Sequence, residues 1–301
     1  MEIAIISSDI DRVKSWLQLH EKSIKIMADT DCFENHTDLF TMLNGNILSY
    51  VYFGESFCQY RLPELHAVKK AIQYCDENML KFVLLTPPLS DYGIEKCKAY
   101  LEYFISINRN YEVVVNDIGL IHLINELNYK GKMIWGRIMD KSVHEARMTN
   151  AEEVKYYSES GYQYMHSLAS EADAYKRFLI DNGISRIEYD GNPKTIPENS
   201  IFKYDYIYPT EYLTTGRMCL FKVAGQSDKN RFLLSDTCAH LCKNTIEVMT
   251  KQVPYIKIDD NSVRIRKMSI LRNGNTLFSV HDQLQVYPSM DRLVIDIEIL
   301  F

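Results

Sequence analysis

The chain has 301 residues, 46% of them hydrophobic and 25% charged, with a net charge of −6 and a pI near 5.8. That is enough apolar material for one large core, and it excludes a protein that grips nucleic acid through general basicity. No apolar run approaches the ~20 residues that cross a bilayer. The Met1–Ser7 segment lacks the basic region and cleavage site of a secretory leader, so a cytoplasmic protein with reduced thiols is expected.

In chain order, Glu2–Ile6 is a first apolar run, and Leu48–Phe53 is a strand stopped by Gly54. Pro63–Met79 carries Leu65, Val68, Ile72 and Cys75 at helical spacing. Phe82–Thr86 is a strand closed by Pro87-Pro88, and Ile94–Ile107 a helix. Tyr111–Val115, Met133–Ile138 and Ile184–Tyr189 read as strands, Leu120–Leu127 and Asp173–Asp181 as helices, and Tyr206–Pro209 as a further strand. Strand alternating with helix implies parallel strands with covering helices. With no glycine-rich dinucleotide loop, a (β/α)8-type barrel, regular or irregular, fits better than an open sheet. It is expected over residues 1–250. Residues 251–301 change texture: Val263–Leu271, Leu277–Val280 and Leu293–Ile299 read as strands, and Arg-Asn-Gly-Asn (272–275) as a hairpin turn. They are expected to form a β-rich C-terminal extension packed on the barrel.

In such barrels chemistry sits where strands end. The residues at those points are Gly54 to Cys58, Asn116-Asp117, Gly136-Arg137, and Glu188 with Asp190. Of the seven cysteines, Cys238 and Cys242 lie four apart, with Cys219 nineteen positions before Cys238. Cys58 is the best upstream candidate for a fourth ligand. Four thiolates hold a structural zinc or an iron–sulfur cluster; the bland alternative is four unrelated buried thiols. A helix beginning at Cys238 would put Cys238 and Cys242 on one face and point His240 away from them. Cys75 and Cys97 fall in helical runs and read as small core residues, while Cys32 receives no role. His66 is not persuasive as a base for a Cys58 nucleophile, and no Gly-x-Ser-x-Gly or His-Glu-x-x-His motif occurs.

Gly54-Glu-Ser-Phe-Cys-Gln-Tyr-Arg61, Val115-Asn-Asp-Ile-Gly119 and the late cysteines together resemble the U32 "peptidase" family over roughly residues 45–250. The likeness is to its branch of oxygen-independent ubiquinone-biosynthesis iron–sulfur proteins. The resemblance implies a [4Fe–4S] cluster held by Cys58, Cys219, Cys238 and Cys242. It also implies a barrel fold, a cytoplasmic location, a second U32-family protein as heterodimer partner, and a role in hydroxylation without dioxygen. Prephenate, the oxygen donor proposed for the family, would need cationic partners, for which Arg61 and Arg137 are candidates; Asn116 and Asp117 are candidates for substrate orientation or for a strand cap. Alternatives are a non-catalytic scaffold with a structural cluster, a U32-type peptidase, or an RNA-modifying enzyme. The acidic charge weighs against nucleic acid. The electron donor is not specified by the sequence.

Overall fold

The computed structural model describes residues 1–19, 48–144, 158–191, 195–223, 238–243, 245–259, 262–280, 284 and 288–300. Cys32 lies outside these residues.

Eight parallel strands close into a barrel. Seven come from the first 210 residues: β1 (Glu2–Ser7), β2 (Leu48–Gly54), β3 (Lys81–Leu85), β4 (Glu112–Val115), β5 (Met133–Trp135), β6 (Arg186–Tyr189) and β7 (Lys203–Tyr208). The helices between them are α1 (Ile10–Leu19), α2 (Leu65–Glu77), α3 (Asp91–Ser106), α4 (Ile118–Glu126), α5 (Glu159–His166) and α6 (Asp173–Asp181). Strand residues are apolar on both faces because both faces are covered. Ala4, Ile6, Tyr52, Val83, Leu85, Val114, Ile134 and Ile207 fill the barrel interior. Ile5, Phe53, Leu84, Val113 and Val115 face outward, against Val68, Ile72, Leu101, Phe104 and Leu120 of the helices.

The (β/α)8 expectation holds, with a different source for the eighth strand. After β7, the strand β8 (Thr210–Thr215) leaves the barrel and pairs antiparallel with β11 (Thr276–Val280). Together with β9 (Glu247–Asp259) and β10 (Ser262–Asn273) they form a four-stranded sheet in the order β8-β11-β10-β9. The barrel is closed instead by β12 (Met290–Asp296), which pairs parallel with both β1 and β7. The run expected as an extension strand at Leu293–Ile299 therefore belongs to the barrel, and it turns into the short helix α7 (Ile297–Leu300) after Asp296. Its apolar outward side chains, Leu293 and Ile295, join the same core as those of β1.

The end of the barrel away from the βα loops is tied by charge. Arg292 is fully buried; it reaches Tyr52 Oη, Glu112 at 3.1 Å and Asp205 at 3.6 Å. Tyr52 donates to Asp205 at 2.6 Å, and Arg186 pairs with both Asp205 and Asp291. Buried charge of this kind needs partners, which the two terminal nitrogens of Arg292 have, while its Nε is buried with none. Among the described residues no helix is long and apolar enough to cross a membrane.

Candidate functional site

The site begins at the C-terminal end of β2. Gly54 has φ +145°, and a Cβ there would stand 2.0 Å from the Leu85 carbonyl oxygen, so the strand can end this tightly only with glycine. Glu55 then accepts hydrogen bonds from the backbone N–H of Ser56 (3.0 Å) and Phe57 (3.2 Å), which curls the chain and presents Cys58. Gln59, Tyr60 and Arg61 continue as one 3-10 turn. Arg61 Nε lies 2.8 Å from Glu55, and Gln59 accepts from Ser90 N–H at 2.8 Å, fixing the loop to its own turn and to the neighbouring βα loop.

Three further segments meet this loop. Cys219 follows β8, on a stretch anchored by Arg217 donating to the Leu89 carbonyl at 3.2 Å. Cys238 and Cys242 lie on a turn, not on the expected helix: His240 has φ +54° and its N–H points at Cys238 Sγ at 3.4 Å. The left-handed residue breaks helical spacing, so the turn, rather than a helix face, sets the two thiols. His240 lines a neighbouring groove and not the cysteine cavity. The third segment is the β10–β11 hairpin. Gly274 takes φ +60° at its tip, with Cys242 Sγ 3.5 Å from where a Cβ would be. Asn275 donates to the carbonyls of Phe57 (3.0 Å) and Gly216 (2.7 Å), and Asn273 accepts from Arg61 at 2.7 Å.

Cys58, Cys219, Cys238 and Cys242 all line one cavity of about 230 Å³, together with Arg61, Arg217 and Lys222. The four residues singled out in the sequence are thus brought together, whereas Cys75 and Cys97 are buried in the helix-covered core. Burial first, then the Glu55 charge, pushes the Cys58 thiol up to about 12. That is the reverse of an activated nucleophile, which needs its thiolate stabilised. Burial also raises Cys242, opposed by Arg61. A tetrahedral zinc with bonds of about 2.3 Å would hold its thiolates about 3.8 Å apart. Among the described residues the one group of three or more His, Cys, Asp or Glu ligand atoms within 4.8 Å of each other is His144, Asp190 and Glu211. The four cysteines line one cavity beside the cations Arg61, Arg217 and Lys222.

The barrel mouth lies behind Phe57. Arg137 is 1% exposed; its backbone N–H donates to Glu188 (3.0 Å) and its Nη2 to Asp296 (3.3 Å). Its Nε and Nη1, Glu188 Oε1 and Asp296 Oδ1 are buried with no hydrogen-bond partner. Burial raises the Glu188 carboxyl to about 7 and that of Asp296 to about 6, with Arg137 opposing both. The Phe57 ring covers the Arg137 guanidinium at 4.7 Å and packs on Phe278 and Tyr212 at 5.2 and 5.7 Å, so the antiparallel sheet caps the mouth.

Asn116 donates to the Thr86 carbonyl at 2.8 Å and accepts from Ile138 N–H at 3.2 Å; a Cβ on Gly136 would stand 2.1 Å from its Oδ1. Asp117 caps α4 by accepting from Gly119 N–H at 2.8 Å and also accepts from Leu89 N–H at 3.0 Å. Both residues brace the rim, and Asp117 caps the helix that follows rather than the strand. Sequence reasoning missed the hairpin tip as a wall of the cysteine cavity, and it missed His144, Glu211 and Asp296. Asp296 carried a signal, a lone acid inside the apolar run Leu-Val-Ile-Asp-Ile.

Fold and site together define a (β/α)8 barrel with a four-cysteine cavity on its C-terminal rim. No family model and no curated protein matches the chain. A solved structure of a GH113 beta-1,4-mannanase aligns over 69% of this chain and 70% of that one, at 12% identity and a TM-score of 0.32. The barrel assignment rests on the strand pairing itself.

Proposed function

We propose that the chain binds a [4Fe–4S] cluster through Cys58, Cys219, Cys238 and Cys242 and serves, with a paralogous U32-like partner, in an oxygen-independent hydroxylation system. The observation that carries this is the convergence of four cysteines from three separate stretches of chain on one cavity of about 230 Å³. When bound, such a cluster supplies electron transfer or a structural staple, since four thiolates leave no open iron. Arg61, Arg217 and Lys222 on the same wall would offset the charge of the thiolates. Hydroxylation and the partner rest on the resemblance of the Gly54–Arg61 and Val115–Gly119 motifs.

Of the two arginines considered for a dicarboxylate substrate, Arg61 is engaged by Glu55 and Asn273. Arg137 keeps two nitrogens without a protein partner and is the better placed to meet a carboxylate. Phe57 would have to move first, because it joins the ligand loop to the mouth. The closed mouth favours a second reading, a non-catalytic partner subunit whose cluster is structural. Capture of the tagged chain from its native host grown without oxygen tests the assignment. A second protein bearing a Gly-Glu-x-x-Cys motif among the partners, with brown colour in the purified complex, is expected. Colourless protein holding one zinc would overturn it.

A further inference from the structure

The rim carries a second constellation, separate from the cysteines. His144 follows β5, Asp190 follows β6, and Glu211 is the second residue of β8. His144 Nδ1 lies 3.6 Å from Glu211 and 4.0 Å from Asp190, and one donor atom from each of the three falls within 4.8 Å of the others. Three donors around an ion with bonds of about 2.1 Å in tetrahedral geometry are about 3.4 Å apart, so only a small inward shift separates this arrangement from a coordination shell. The carboxylates are held in place by other contacts: Asp190 accepts from Tyr212 N–H at 3.0 Å and Glu211 from Ser279 at 3.4 Å, while the His144 ring packs on Tyr212 at 4.3 Å. Oriented ligands of this kind are what a metal site requires of its surroundings.

We propose that His144, Asp190 and Glu211 form a binding site for one divalent first-row metal ion at the barrel mouth. One imidazole with two carboxylates suits manganese, iron(II) or zinc rather than the soft ions that thiolates select. Three protein ligands leave room for oxygen donors from water or a substrate, the composition of an open site rather than a closed structural one. The inference does not depend on the cysteine cavity holding a cluster.

Manganese(II) is the probe, because it discriminates against the thiols. Titration of the purified full chain, followed by the loss of the free-ion electron paramagnetic resonance signal, is expected to show one site per chain. Glu211→Gln and His144→Ala should each weaken binding at least tenfold while the far-ultraviolet circular dichroism spectrum is unchanged. Absence of manganese uptake by the wild type at millimolar ion would overturn the proposal, as would uptake that both variants retain.

Discussion

Arg61 Nε sits 2.8 Å from Glu55 Oε2, with both side chains at least 85% buried, so the two charged residues that bracket Cys58 hold each other. Arg61→Ala leaves the Glu55 carboxylate buried without its cation, and breaking such a pair from one side costs about 3–5 kcal/mol. Urea unfolding measures this; a loss below about 1 kcal/mol would mean that the pair behaves as an exposed one.

Gly54 supplies the turn that starts the loop. Gly54→Ala must place a methyl 2.0 Å from the Leu85 carbonyl at φ +145°, so either β2 or β3 has to shift. A cost of about 3 kcal/mol or more is expected, with loss of the proposed cluster from the cysteine cavity before global unfolding. A Gly54→Ala protein as stable and as metal-rich as the wild type would contradict this.

Asn275 joins the hairpin tip to both the Cys58 loop and the Cys219 stretch through two hydrogen bonds from one amide. Asn275→Ala is expected to cost about 0.5–1.5 kcal/mol through loss of the two bonds and to speed release of the proposed cluster's iron to a chelator. Asn275→Asp, which cannot donate to them, should behave the same way.

Asp296 gives a pH signature. Its folded carboxyl, raised by burial to about 6, binds its proton more tightly than in the unfolded chain, where 3.8 is the ordinary value. The stability that the protonated form contributes is full below about pH 4 and is lost as pH rises to about 6, a drop of order 3 kcal/mol. Asp296→Asn should flatten that slope and match the wild type only at the acid end. Parallel wild-type and variant profiles from pH 4 to 7 would contradict the assignment.

Much of the fold was legible because its units are local. Leu48–Gly54, the helical spacing from Leu65 to Cys75, and the Asn-Gly turn at the tip of the last hairpin each specify themselves within a few residues. The closing strand does not. β12 pairs with β1 across the whole length of the chain, and its sequence Asp-Arg-Leu-Val-Ile-Asp reads as a strand without showing which sheet takes it. Arg292 is nevertheless inside the barrel, where Tyr52, Asp205 and Glu112 complete it, and no local pattern reveals those partners. The same holds at the site. Cys58 was legible from its motif, whereas the turn at Cys238–Cys242 depends on His240 adopting a left-handed backbone, and His144 meets Glu211 only because β8 leaves the barrel.

The proposed cluster on the four converging thiols is tested most directly by metal content. Iron and acid-labile sulfide should be counted on protein purified without oxygen, for the wild type, Cys58→Ala and the core control Cys75→Ala. The expected result is about four irons and four sulfides per chain in the wild type and the Cys75 variant, and little of either in the Cys58 variant. Full iron content in Cys58→Ala, or stoichiometric zinc without sulfide in the wild type, would contradict it.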